Sequence, residues 1–382
     1  MTVWDAIIVG AGPAGCAAAY DLATAGRSVL LLDRCTFPRQ KACAGGLTVK
    51  AVRALRYSIE PVVRATISSI RVSKHLDSPC VLRSPRPVCV MTVRQEFDAF
   101  CLNKTIEAGA TFQLIKSVRK IEESTNQLAL ATDDGEFCAR HVVGADGANS
   151  QIRQLCGNAS WFHKAFALEA QVRCTAPQDL SLDFGVVRNG YGWVFPKGDH
   201  LNVGLCAESP DENQKVTRAT LADYIRRRLD TDAFDRVVGQ YLGIGGWLDT
   251  SVPRRVFLVG DAGGLVDPLT GEGIYNAILS GQIAAEAIQS GLNGNESPGE
   301  VFAAGLSEIR RDLAIAARMS QRFYGNLDWG YAALTFPIVR RAALKTYANG
   351  LNFVGALKRY GFVRPYLSLR TYLAAAADRT PN

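Results

Sequence analysis

Two glycine-rich segments about 250 residues apart carry the chemistry of this chain. The first is Ile7-Ile8-Val9-Gly10-Ala11-Gly12-Pro13-Ala14-Gly15. The apolar run Ala6 to Val9 reads as a buried parallel strand. Gly10 permits a tight turn out of it, Gly12 lets backbone amides approach a pyrophosphate, and Gly15 lets the next helix pack on the sheet. That helix, about Ala14 to Ala25, offers the positive end of its dipole to phosphates and ends at Gly26. A second strand, Ser28 to Leu32, leads to Asp33, 18 residues past Gly15. An acid there takes the ribose hydroxyls of a dinucleotide and argues against a 2′-phosphate, so FAD or NAD fits better than NADP.

The second segment decides between those two. Arg255 to Val259 reads as a strand, Gly260-Asp261 follows it, and a helix runs from about Gly273 to Ser290. Asp261, at the carboxyl end of a strand, suits the hydroxyls of a flavin ribityl chain. The N-terminus of the next helix suits the electron-rich edge of an isoalloxazine. NAD has no such chain, so FAD is the expected cofactor. Val143-Gly144-Ala145-Asp146-Gly147-Ala148-Asn149-Ser150, with Arg153 after it, resembles the Asp-Gly motif of flavoprotein monooxygenases and their relatives. The alternative is an ordinary strand-turn-helix in which Asp146 or Asn149 caps the helix. Arg94 stands where that superfamily places an arginine near the flavin phosphates or ribityl group. No second GxGxxG occurs, so a separate nicotinamide domain is not expected. Electrons then come from NAD(P)H visiting transiently, from a protein such as ferredoxin, or from a quinol.

These motifs need a doubly wound α/β scaffold to position them. The cofactor domain is expected from residues 1–70, 90–155 and 250–300. A substrate domain is expected from 71–89 and 156–249. In that second part Ala165 to Arg173, Leu180 to Val187, Gly192 to Phe195 and His200 to Cys206 read as strands of a mainly antiparallel sheet, followed by a helix near Arg218 to Leu229. Residues 301–382 read as a helical, basic C-terminal region, and Glu208 to Lys215 as a surface loop.

Tyr191-Gly192-Trp193-Val194-Phe195-Pro196-Lys197-Gly198, with Asn202-Val203-Gly204 after it, resembles the YxWxFPK signature of the geranylgeranyl reductase family of flavoproteins. Lys41-Ala42-Cys43-Ala44-Gly45-Gly46-Leu47 resembles that family's glycine-rich cysteine loop beside the flavin. Pro268-Leu269-Thr270-Gly271-Glu272-Gly273-Ile274 resembles its flavin-contacting loop. The likeness runs from residue 1 to about 290, and the last 90 or so residues carry none of these motifs. One departure is Ala44, where many family members have Gly directly after the cysteine.

The resemblance implies a para-hydroxybenzoate hydroxylase-like fold, bound FAD, and reduction of isolated C=C bonds in polyprenyl chains. Family members act on chlorophyll precursors, archaeal lipids or menaquinone. The cofactor contacts expected are Gly10, Gly12, Ala14, Gly15, Asp33, Arg34, Cys43, Ala44, Gly46, Arg94, Val118, Asp146, Gly260, Asp261, Gly271, Gly273 and Ile274. Alternation puts Tyr191, Trp193 and Phe195 on one strand face, where they either line an apolar substrate tunnel or form sheet core. Tyr191, Trp193 and Cys43 are the catalytic candidates. Cys43 is a proton donor, a redox-sensitive gate or a small filler beside the flavin. Lys197 either meets a phosphate or diphosphate head group or ends the strand at the surface. The competing function is a monooxygenase hydroxylating a large or protein-bound aromatic, and a third is a passive electron-transfer or lipid-binding subunit. Gly263-Gly264 after Gly-Asp-Ala, where aromatic hydroxylases commonly show a histidine, and Tyr-x-Trp in place of the halogenase WxWxIP, favour the reductase.

Composition limits the rest. The 382 residues suffice for a large core in two interleaved domains. The ten cysteines form no CxxC pair, which fits reduced cytoplasmic thiols. The four histidines are scattered, so no metal site is expected. The net charge of +7 is concentrated at residues 331–382, where eight Lys and Arg face the single acid Asp378 among many aromatics. That tail either lies on an anionic membrane surface, as a peripheral anchor, or caps the substrate domain with a solvated basic face. No run is long enough to span a membrane. No nucleic-acid module is visible.

Overall fold

A computed structural model describes residues 2–157, 163–174, 178–208, 216–245, 254–351 and 354. Most of the expected loop at 208–215, and the basic tail beyond residue 354, lie outside the described residues. The first sheet runs in the order β8 (Thr111–Leu114), β2 (Val29–Asp33), β1 (Val3–Val9), β11 (Gly135–Gly144), β10 (Leu128–Thr132), β9 (Val118–Glu123). The ten-residue β11 is shared. Its first half pairs antiparallel with β10, and its last residues pair parallel with β17 (Val256–Leu258), Val142 opposite Val256. On its other edge β11 runs parallel to β1, Val9 opposite Gly144. β1, β2, β11 and β17 are thus in parallel register around the point where the first glycine motif leaves the sheet.

Helix α1 (Pro13–Thr24) starts there, with Pro13 in its first turn. Gly10 takes φ +105, and a Cβ on it would fall 2.4 Å from the carbonyl oxygen of Ala145. A Cβ on Gly15 would fall 1.8 Å from the Gly10 carbonyl oxygen, so both positions are closed to any side chain by the protein itself. Two further helices pack near α1. These are α3 (Arg94–Glu107) and α6 (Ile274–Leu292), the latter so close that a Cβ on Gly281 would meet the Ala14 carbonyl at 2.2 Å. Phe97 of α3 and Phe257 of β17 are fully buried in the same core, each worth roughly 1.5–3 kcal/mol relative to exposure.

The second sheet runs β16 (Asp235–Gly243), β12 (Lys164–Arg173), β15 (His200–Ala207), β14 (Gly190–Pro196), β13 (Leu180–Phe184), β5 (Ser69–Lys74), β6 (Asp77–Arg83). It is antiparallel except where β13 runs parallel to β5. One face is covered by α5 (Arg218–Leu229), whose Leu221, Tyr224 and Ile225 pack on Leu168, Val194, Val203 and Leu205. The other face carries Trp193, Phe195, Cys206 and Ala165 and turns towards the Cys43 loop. Residues 71–89, expected from the sequence on the substrate side, divide between this sheet and another. Ser69–Lys74 and Asp77–Arg83 do join it. A separate three-stranded sheet forms from β3 (Gly46–Thr48), β7 (Cys89–Thr92) and β4 (Val63–Ile67), with α2 (Val49–Ala54) after β3. These strands are too short for periodicity to announce them.

Helix α4 (Gln151–Leu155) follows β11. The C-terminal part is helical, in α7 (Pro298–Gly325), α8 (Leu327–Thr335) and α9 (Pro337–Ala348). Tyr331 of α8 ties these helices to the β5–β6 hairpin by donating to the Val72 and Ser78 carbonyls at 3.1 and 2.6 Å. Among the described residues no helix is long and apolar enough to cross a membrane, and no His, Cys, Asp and Glu cluster could hold a metal.

Candidate active site

The two distant glycine motifs meet. Gly260 sits against Ala14, a Cβ on it falling 3.1 Å from the Ala14 side chain, and its N–H donates to Ser280 of α6 at 2.9 Å. Arg153 ties in the third segment by donating to the carbonyls of Ala262 and Ala148 at 2.9 and 2.8 Å. All three segments therefore converge at the carboxyl ends of β1, β11 and β17.

This convergence fits a dinucleotide. Gly12 differs from Gly10 and Gly15, because a Cβ there would meet nothing nearer than Arg39 Nη2 at 3.7 Å. Protein packing does not demand glycine at 12, and its bareness leaves room for a ligand against the helix start. No side chain caps α1 and no acid lies in its first turn, so its positive end is open; the same holds for α6. Asp33 ends β2, one oxygen accepting from the Ala11 N–H at 2.7 Å and the other from Cys35 N–H at 2.9 Å, while Arg34 beside it is exposed. Each carboxylate oxygen retains a second lone pair for a ribose hydroxyl. Asp261 accepts from Gly243 N–H at 3.4 Å and faces Gly273 at the start of α6, with Ile274 buried just inside the helix. Burial raises its carboxyl above the usual range against the pull of Lys41, whose amine burial lowers.

A buried ion cluster sits between these groups. Arg94 grips Asp98 with two bonds of 2.7 and 2.8 Å, and Arg39 reaches the same carboxylate at 3.2 Å. Arg39 and Asp98 were not singled out by sequence reading, since nothing in their spacing marks them, whereas Lys41 heads the cysteine loop already quoted. Two of the expected contacts have structural partners of their own. The Asp146 carboxylate accepts from the Gln151 and Ile152 amides at 2.6 and 3.2 Å and from the Ser150 hydroxyl, so it supports the start of α4, whose N-cap is Ser150. Val118 is packed among Ile115, Leu130 and Ile152, and its N–H donates to Gln151, so its side chain belongs to the core.

The Cys43 and Gly271 loops are each braced. Asp267 accepts from the Leu269 and Thr270 amides at 2.8 and 3.1 Å, and Glu272 is held by Lys50 at 2.8 Å and by the Thr48 hydroxyl. Tyr191 donates to the Thr270 carbonyl at 3.1 Å, its hydroxyl lying 2.4 Å from where a Cβ on Gly271 would be. Phe195 presses on Gly46, where a Cβ would stand 3.0 Å from its ring. Trp193 lies across β15 because Gly204 has no side chain; a Cβ there would be 2.2 Å from the indole. Its indole N–H donates to Asn202 at 2.7 Å and the residue is 4% exposed. Tyr191, Trp193 and Phe195 do share one face, beside Ala44. The polar atoms of Tyr191 and Trp193, the residues expected to be catalytic, donate bracing bonds to Thr270 and Asn202.

Lys197 is neither at the surface nor free for a head group. It is 3% exposed, and its ammonium donates to the carbonyls of Thr92, at 2.9 Å, and of Ala44. Burial lowers it to about 8. Its work is to pin the Cys43 loop to β7. Cys43 is half-buried, its sulfur accepting from the Gly45 N–H at 3.4 Å and lying against the Arg94 guanidinium. The sequence also passed over Glu169. This carboxyl lies on the site face of β12, 8% exposed, bonded by the Cys43 N–H and the Asn202 side chain. Burial pushes it up to about 7. A lone acid at an inward position of the strand Lys164–Arg173 was the available signal.

Fold and site together define an FAD-dependent oxidoreductase. Residues 3–301 match the family described as FAD binding domain. The chain is 32% identical over 360 residues to an uncharacterized protein of Methanosarcina barkeri, covering 92% of both. It is 30% identical over 364 residues to a geranylgeranyl diphosphate reductase of Rhodobacter capsulatus, covering 91% of this chain and 92% of the relative. It is 31% identical over 323 residues to a menaquinone reductase of Mycolicibacterium smegmatis, covering 75% and 76%. Its fold matches a geranylgeranyl bacteriochlorophyll reductase-like protein of Thermoplasma acidophilum with a TM-score of 0.73 at 19% identity, covering 98% and 99%. The chain belongs to the geranylgeranyl reductase family of FAD-dependent oxidoreductases.

Proposed function

We propose that this enzyme reduces isolated C=C bonds of a polyprenyl chain carried by a lipid or quinone. The observation that carries the reading is the apolar face of the second sheet. Ala165, Trp193, Phe195 and Leu182 gather beside Ala44, and Tyr191 and Phe195 are clamped onto the two loops expected to hold the flavin. An alkene without a polarising carbonyl has to be held by shape and apolar contact alone, and such a face does this. The relatives' substrates belong to the same chemical class. Residues 1–70, 90–155 and 250–300 form the FAD-binding unit in this reading, and 71–89 with 156–249 the substrate side.

Gly12, the start of α1, Asp33 and Arg39 would hold the adenosine and pyrophosphate part of FAD; Asp261, Arg94 and the start of α6 would hold its flavin part. When bound and reduced, FAD supplies a hydride. The chain's own residues exclude water from the apolar face, hold the alkene in place and provide a proton for the second carbon. An external donor of the NAD(P)H, ferredoxin or quinol type restores the reduced state. Exposed Trp329, Phe336 and Ile338, beside exposed Arg341 and Lys345, support docking of this peripheral enzyme on an anionic membrane that holds its substrate.

Mass analysis of polyprenyl lipids incubated with the FAD-loaded enzyme tests the reading. Gain of hydrogen pairs without oxygen, under anaerobic dithionite, supports it. Gain of oxygen only in air, with NAD(P)H, replaces it with a monooxygenase.

A further inference from the structure

The cavity next to the Cys43 loop is small, about 50 Å³, and its lining is polar although it adjoins an apolar face. Glu169 lines it, as do Cys43, Arg94 and Lys197. From Glu169 the lining continues outward through half-buried Gln171 and His200 to exposed Arg236. Among the described residues Glu169 is the one acid in this lining. The groups that face it are known from each neighbouring element. The loop gives the Cys43 amide and Lys41, α3 gives Arg94, the turn after β14 gives Lys197, β15 gives Asn202 and His200, and β16 gives Arg236. The carboxyl accepts bonds from the Cys43 N–H and from Asn202, so it is anchored beside the loop that meets the flavin.

We propose that Glu169 is the proton reservoir of the reduction, giving a proton into the cavity it shares with Cys43 and taking one back from solvent water that enters along the polar lining of Gln171, His200 and Arg236. The inference rests on the proposed polyprenyl reduction. One alkene carbon takes the hydride; the other takes H⁺ from the Glu169 carboxylic acid, which is left as a carboxylate. Arg94 and Lys197 stabilise that carboxylate until solvent reprotonates it. Burial that holds this acid at about 7 keeps the proton available at neutral pH, where an ordinary glutamate would have lost it.

Two measurements on FAD-loaded protein separate this inference from the functional reading. The first needs no substrate. An infrared pH titration compares the protonated-carboxyl stretch in wild type and Glu169→Gln at equal FAD occupancy. A band that titrates near neutrality in wild type and is missing in the variant supports the reservoir; identical titrations overturn it. The second is the anaerobic single-turnover rate against pH with a polyprenyl lipid. Glu169→Gln is expected to lose on the order of 100-fold and the limb near neutrality, while Glu169→Asp keeps the limb, shifted. Wild-type rate and pH profile in Glu169→Gln overturn the inference. Absence of hydrogenated product from wild type overturns the polyprenyl reading, and the infrared result then decides Glu169 by itself.

Discussion

Replacing Glu169 by glutamine gives a stability effect whose size follows from the fold. The carboxyl sits at about 7 in the folded protein against an ordinary 4.5, and burial is the main cause. A carboxyl raised on folding contributes stability that is fully present below about pH 4.5 and is lost as pH climbs towards 7. The gap of about 2.5 units corresponds to about 3.4 kcal/mol once the group is ionised in both states. Between pH 5 and pH 8 the loss in wild type is about 2.5 kcal/mol. Glutamine cannot ionise, keeps the bond from the Cys43 N–H through its carbonyl oxygen, and carries no such loss. The assay is denaturant unfolding of both proteins at matched FAD occupancy across that range. The stability of Glu169→Gln relative to wild type is expected to rise by about 2.5 kcal/mol from pH 5 to pH 8. A difference that stays flat across that range refutes the reasoning and makes Glu169 an ordinary carboxylate.

Three further perturbations read other parts of the site. Gly12→Ala should weaken FAD binding while leaving the thermal midpoint of the apoprotein unchanged, whereas Gly15→Ala should unfold it, since the new Cβ would stand 1.8 Å from the Gly10 carbonyl oxygen; equal effects on folding would contradict the assignment. Gly204→Ala should destabilise the protein by about 1–3 kcal/mol and shift its tryptophan fluorescence, because the methyl would displace the Trp193 indole. Lys197→Met leaves the buried carbonyls of Ala44 and Thr92 without their donor. A cost of about 1–3 kcal/mol and faster proteolysis at the Cys43 loop are expected, and an unchanged loop would remove its bracing role.

What was legible in the sequence was whatever local geometry imposes on residue type. Gly10 and Gly15 are closed by the Ala145 and Gly10 carbonyls, so the strand-turn-helix announced itself. Alternation placed Tyr191, Trp193 and Phe195 on one face correctly, but not what their polar atoms do. Tyr191 bonds Thr270, 79 residues away, a partner set by tertiary packing, and Trp193 bonds Asn202 on the neighbouring strand, a partner set by sheet register. Lys197 misled for the same reason: a lysine after a strand reads as surface until the Cys43 loop folds over it. Glu169 is made unusual by burial, against which the bonds from Cys43 and Asn202 work, and that burial arises only when other segments fold over it. The three-stranded sheet of β3, β7 and β4 was invisible because each strand is three to five residues long.

The central claim is that reduced enzyme passes its electrons to an isolated alkene. The most direct test mixes the anaerobically reduced, FAD-loaded protein with a geranylgeranyl lipid and follows the flavin absorbance alongside the product mass. Return of the oxidised spectrum without oxygen, with one C=C bond saturated per flavin, is the expected result. A flavin that stays reduced until air is admitted, with oxygen then appearing in the product, would contradict it.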